Sequence, residues 1–134
     1  VGSNYGGPWV VTAHDLTALK AQVKDRIDAA AETCRLKYIT PGSGQAMVYQ
    51  QKAEEAKACL AAISPVDSNY PLLSAEATAT GVTISELAQN VATLTAQWIG
   101  LASAIEARRI GGKKVVSDAV TVAAVLAGAA INWP

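Results

Sequence analysis

The 134-residue sequence has no phenylalanine, one histidine, one methionine and two cysteines. Each scarcity closes a route. His14 alone cannot build a multi-histidine zinc centre, and Cys34 and Cys59 lie too far apart in sequence for a thiolate finger, so no metal or cofactor is expected. A cysteine–histidine nucleophile pair would need one of these thiols to meet His14, yet both sit on or beside apolar stripes. No catalytic residue is nominated, and the chain reads as a non-enzyme. Eleven Lys and Arg balance eleven Asp and Glu, leaving no global field to recruit nucleic acid or an anionic membrane. The longest apolar run, AVTVAAVLAGAAI, spans 13 residues against the roughly 20 a membrane-spanning helix needs. A buried terminal helix is expected there instead of a membrane span.

What is present is helical periodicity. Apolar residues make up 51% of the chain, but many are alanine, alongside three Trp and four Tyr, so the core should form by close approach of helices. Leu16, Leu19, Val23, Ile27, Ala30, Cys34 and Tyr38 recur at spacings of three and four, opposite a face carrying Lys20, Lys24, Asp25, Asp28, Glu32 and Arg35. Thr12 followed by Asp15 is a partial capping box for this long helix. It should stop at Thr40, because a residue before proline is pushed out of the helical region, and Gly42 and Gly44 supply turn conformations. Ser43 is the candidate cap of the next helix, where Ala46, Tyr49, Ala53, Ala56, Leu60 and Ile63 form a second stripe among Lys52, Glu54, Glu55 and Lys57. So short a link predicts an antiparallel helical hairpin.

The same hairpin argues against a disulfide. Mirrored about Gly42, Cys34 and Cys59 are offset by nine residues, or about 14 Å along a helix, too far for an S–S bridge. Two free buried thiols are expected. The PGSG turn lacks the preceding strand and the lysine of a phosphate-binding loop, so turn chemistry accounts for it.

Further on, Leu72 to Thr80 can form a short helix with Pro71 near its first turn and Gly81 past its end. Thr83 and Glu86 make the clearest capping box in the chain. Behind it Ile84, Leu87, Val91, Leu94, Trp98, Leu101 and Ile105 step three, four, three, four, which is the seven-residue period of a coiled-coil seam. Gly111 and Gly112 then predict a kink, a break, or a helix held by its neighbours. A final helix runs within Val115 to Ile131, with a restart at Thr121. Arg108, Arg109, Lys113 and Lys114 form a basic cluster, either an anion patch or a solvated segment.

The expected architecture is therefore all-α: an antiparallel helical bundle of a hairpin, a long helix and a terminal helix over residues 13–134, with 1–12 as an extended arm. VGSNYGGPWVV has neither the basic region nor the apolar run of a signal peptide, while Tyr5, Trp9 and Val10 are costly to leave wet. One core cluster is expected, containing Leu16, Leu19, Val23, Ile27, Tyr49, Leu60, Leu87, Val91, Leu94, Trp98, Leu101 and Ile105.

The runs RLKYITPGSGQAMVYQQKAEEAKACL, YPLLSAEATATGVTISELAQNV, AIEARRIGGKK and the closing NWP resemble an alanine-rich helical domain at the C-terminal ends of bacteriophage and prophage tail proteins, of the tail-fibre-associated or tail-fibre-assembly type. The likeness covers roughly residues 24 to 134, with Tyr38 and Gln45 at the aromatic and glutamine positions of its turn motif. Gly111-Gly112 departs from the continuous alanine-rich helix of that pattern. The resemblance implies a virion structural or assembly module without catalytic residues, contacting other tail or fibre proteins, and a homo-oligomer, with a trimer as the common state of tail fibres. It leaves open a cytosolic tail-fibre assembly chaperone and a head or neck accessory protein.

Overall fold

The computed structural model describes residues 13–134; the expected arm and the capping role of Thr12 lie outside the described residues. The chain is an all-α helical bundle of α1 (Ala13–Arg35), α2 (Ser43–Ala61), a single 3-10 turn (Asp67–Asn69), α3 (Pro71–Thr80), α4 (Ile84–Asp118) and α5 (Val122–Gly128). Among the described residues there is no strand.

Two compact units divide the chain: residues 13–37 with Ser103–Pro134, and Tyr38–Ala102. The expected hairpin of α1 and α2 is thus split between units, and the expected single core is two clusters. A short link permits a hairpin, but apolar faces choose their partners by what else they can cover.

In the first unit Val23 and Ile27 of α1 meet Val116 of α4, Ala119 and Val125 of α5, with Leu16, Leu19, Ile131 and Trp133 packed around them. α4 runs unbroken through Gly111 and Gly112. Of the three outcomes expected there, the helix held by its neighbours is the one found, because α5 crosses at Gly112. A Cβ added to Gly112 would stand 2.8 Å from the Gly128 carbonyl oxygen, and one added to Gly128 would stand 2.6 Å from Val116 Cγ2. Two bare backbones are what allow this approach. The helix restarts as foreseen: Thr121 caps α5, its hydroxyl accepting the Ala124 N–H at 3.1 Å.

In the second unit Ala56 and Cys59 of α2, Tyr70, Leu73 and Ala77 on and beside α3, and Ile84, Leu87, Ala88 and Val91 of α4 form the core. Pro71 opens α3 and Gly81 ends it at φ 76°. Thr83 and Glu86 bond reciprocally, Glu86 N–H to Thr83 Oγ1 at 3.1 Å and Thr83 N–H to Glu86 Oε2 at 3.2 Å.

Five further expectations are corrected here. α1 ends at Arg35, before Thr40 is reached, and Tyr38 stands beyond it, exposed. Ser43 is the first helical residue of α2 and not its cap; Gly42 holds the cap position at φ 119° without a side-chain bond. Gly44 lies inside the helix, so only Gly42 needs glycine's freedom. The α2 stripe is covered only at its centre. Ala56 is buried and Ala53 half-buried, while Tyr49, Leu60 and Ile63 are exposed. α3 has 10 residues against 19 in α2, about 15 Å against about 28 Å, so it cannot cover the whole stripe. Last, Leu94 is 64% exposed in mid-seam.

Candidate interaction surface

The basic cluster is the first place to look for a ligand, and its charges are already engaged. Arg109 forks onto Glu106, one turn upstream, with both bonds at 2.8 Å, and reaches Asp28 of α1 at 2.8 Å. Lys113 donates to both oxygens of Asp28, at 3.0 and 2.9 Å. These cations hold the Asp28 carboxyl below its ordinary range, Lys113 acting most strongly and Arg109 next, against a smaller effect of burial. Arg109 likewise depresses Glu106, and is itself raised chiefly by Glu106 and then Asp28. Lys114 pairs with Asp118 at 2.6 Å, and Arg108 donates to the Asn132 carbonyl. Asp28 therefore binds α1 to α4 through Arg109 and Lys113, a role that neither the anion-patch nor the solvated-segment expectation included.

The nucleophile candidates are equally occupied by the fold. Cys34 and Cys59 are both free and buried. Cys34 donates to the Pro134 carbonyl at 3.5 Å, while burial first and Asp67 second push the Cys59 thiol up. A raised pKa leaves a poorer nucleophile. His14 and Cys34 sit on one helix 20 residues apart, about 30 Å at 1.5 Å per residue, so they cannot meet. Among the described residues no three His, Cys, Asp or Glu side chains gather as metal ligands, and no helix is long and apolar enough to cross a membrane.

Glu55 escaped the sequence reading, which put it on the solvated face of α2. It is buried, with Oε1 accepting the N–H groups of Leu72 and Leu73 at 3.0 and 3.1 Å, and Oε2 accepting from Gln51 at 3.0 Å. Tyr70, at the cap position of α3, offers no side-chain bond. A carboxylate from another helix supplies it, at the end where the helix dipole favours negative charge. The only local signal was an α3 without a Ser, Thr, Asp or Asn at its cap.

The second unit also leaves several large apolar side chains uncovered. Residues 43–51 of α2 are all exposed, among them Met47 at 71%. Tyr49 is partly tied down, its hydroxyl donating to Thr40 at 3.2 Å and its ring lying 5.8 Å from the Lys52 ammonium. Met47, Gln50, Gln51 and Glu54 line a shallow open depression beside it. On α4, Leu94 and Ile99 are exposed while Trp98 and Leu101 are half-buried. Seam residues Ile84, Leu87 and Val91 are buried before this stretch and Ile105 after it.

No family model matches the chain, and neither the curated proteins nor the solved structures yield a match. The likeness to phage tail proteins thus rests on the quoted residues alone.

Proposed function

We propose that this chain is a non-enzymatic structural or assembly module of a bacteriophage virion, tail or tail-fibre-associated, acting through contacts with other tail proteins. The observation that carries the contact role is Leu94, a seam residue 64% exposed between seam residues that are buried. A leucine costs about 1.5–3 kcal/mol to leave wet relative to full burial, and a partner laid on this seam would recover that cost. The engaged state of the cationic cluster and of both thiols supports contact over chemistry. The phage setting draws its support from the turn motif around Tyr38 to Gln45 and from the helical pattern that follows.

The test is mass spectrometry of phage particles purified from cells that make this chain. A fixed copy number per particle is expected, surviving a salt wash. Abundance in the lysate with absence from particles overturns the structural role and favours a cytosolic fibre-assembly chaperone. Location in head or neck fractions favours the accessory protein instead.

A further inference from the structure

Past Gly128 the helix ends, and residues 129–134 cross the first unit without forming another. Their side chains alternate: Ile131 and Trp133 pack against the core of that unit, while Asn132 between them is exposed. Ile131 fills the notch left by Gly112, where an added Cβ would stand 2.6 Å from its Cδ1. The N–H groups of Ala129, Ala130 and Ile131 bond back to Leu126, Ala127 and Ala129. Beyond them the stretch is held by side chains of other helices. Arg108 of α4 donates to the Asn132 carbonyl, and Cys34 of α1 donates to the Pro134 carbonyl at 3.5 Å. This sets Arg108 apart within the basic cluster, whose other members, Arg109, Lys113 and Lys114, bond carboxylates.

We infer that residues 129–134 are a strap that lifts from the first unit while its helices stay together, and that the strap's position controls whether solvent reaches the Cys34 thiol. Cys34 is the penultimate residue of α1, yet it is only 2% exposed. A side chain so near a helix end is buried by what lies across it, and the chain at Pro134 lies there. The joint between α1 and α4 is made elsewhere. Asp28 bonds Arg109 and Lys113, Lys20 donates to the Ser117 carbonyl, and Val23 and Ile27 share a core with Val116 and Val125. None of these bonds uses the strap, so it can leave with the joint intact. A stretch with two inward apolar side chains and no helical ladder opens at a fraction of the free energy of global unfolding. Cys59 is the contrast. It is equally buried, but inside the second core with Tyr70, Leu73 and Leu87, so its exposure requires that core to open. The inference concerns the first unit alone and is independent of the virion role.

Iodoacetamide labelling of the full native chain tests this, with Cys34 and Cys59 read separately by peptide mass spectrometry. The thiolate displaces iodide only when the reagent reaches it, so the rate follows the population of the open form. Cys34 should label faster than Cys59, and its rate should stay nearly flat in urea below the unfolding transition, because lifting the strap exposes little surface. Cys59 should show the steep urea dependence of unfolding. Arg108→Ala, at an exposed position, removes one anchor of the strap and should speed Cys34 labelling about fivefold, the change carried by one net hydrogen bond. Asp28→Asn weakens the joint that survives in the open form, so it should leave the Cys34 rate unchanged. Equal urea slopes for the two thiols overturn the inference, since Cys34 would then be reached only by unfolding. Acceleration of Cys34 by Asp28→Asn as large as that by Arg108→Ala overturns it for the same reason. A Cys34 rate unmoved by Arg108→Ala also overturns it, because α1 would then fray beneath a fixed strap.

Discussion

Glu55 Oε1 accepts the backbone N–H of Leu73 at 3.1 Å, so a side chain from the fourth turn of α2 completes the first turn of α3. The same oxygen accepts from Leu72, which makes one buried carboxylate the cap for two otherwise unpaired donors. Glu55→Ala should therefore lower stability by about 1.5–3 kcal/mol, the range for hydrogen bonds to a charged group, and Glu55→Gln by less, since an amide oxygen can still accept. Urea unfolding checks the order. Glu54→Ala, one residue away and exposed, is the control and should change little.

Adjacent glycines on α4 should respond in opposite directions. Gly111 faces open space, so Gly111→Ala should stabilise by about 0.5–1 kcal/mol through helix propensity. Gly112→Ala should destabilise by about 1–3 kcal/mol, because the new methyl meets the Gly128 carbonyl and Ile131. On α2, Gly42→Val should cost about 1–3 kcal/mol at φ 119°, whereas Gly44→Val should not be strained. Thermal midpoints of the four variants settle the signs.

How much of this was legible in the sequence depends on range. Thr83 with Glu86, Pro71, Gly81 and Thr121 act within one helical turn, and their residue types state their roles. Glu55 could not be read that way, since its partners lie 17 and 18 residues downstream and nothing local separates it from exposed Glu54. The α2 stripe shows the same limit. Periodicity gave a candidate face, but the length of α3 decides how much is covered. Gly112 could be singled out by residue type, yet the helix does not break there and the reason for a glycine arrives from α5.

Leu94 and Ile105 share the seam and should behave differently. Ile105→Ala, at full burial, should cost about 2–5 kcal/mol, and Leu94→Ala in dilute solution less than about 0.5 kcal/mol. Equal losses would place Leu94 in a core that the chain itself supplies. Denaturant midpoints at fixed slope are the comparison.

Acid should weaken the first unit through Asp28. Its folded-state pKa lies below its unfolded value, so its contribution is present above the unfolded value, near 3.9, and is lost as pH falls through the folded one. Its side chain is 42% exposed, so solvent screens the gain, and about 1 M salt should narrow it further. Asp28→Asn should lie below the native protein in thermal midpoint at pH 7, and the two curves should converge as the pH approaches 2. Parallel curves down to that pH would mean the Lys113 and Arg109 bonds contribute nothing.

The first unit joins residues 13–37 to Ser103–Pro134, while Tyr38–Ala102 is contiguous. In stability this insertion costs little, since each doubling of a loop adds only about 0.6 kcal/mol. In time it matters more. At roughly 5–20 residues per second, the second unit can leave the ribosome whole while α1 still waits seconds for α4 and α5 to emerge. Val23 and Ile27 stay bare for that interval, because Val116 and Val125, which cover them, come from the far end. Of the described helices, α1 is the first synthesised and the last enclosed.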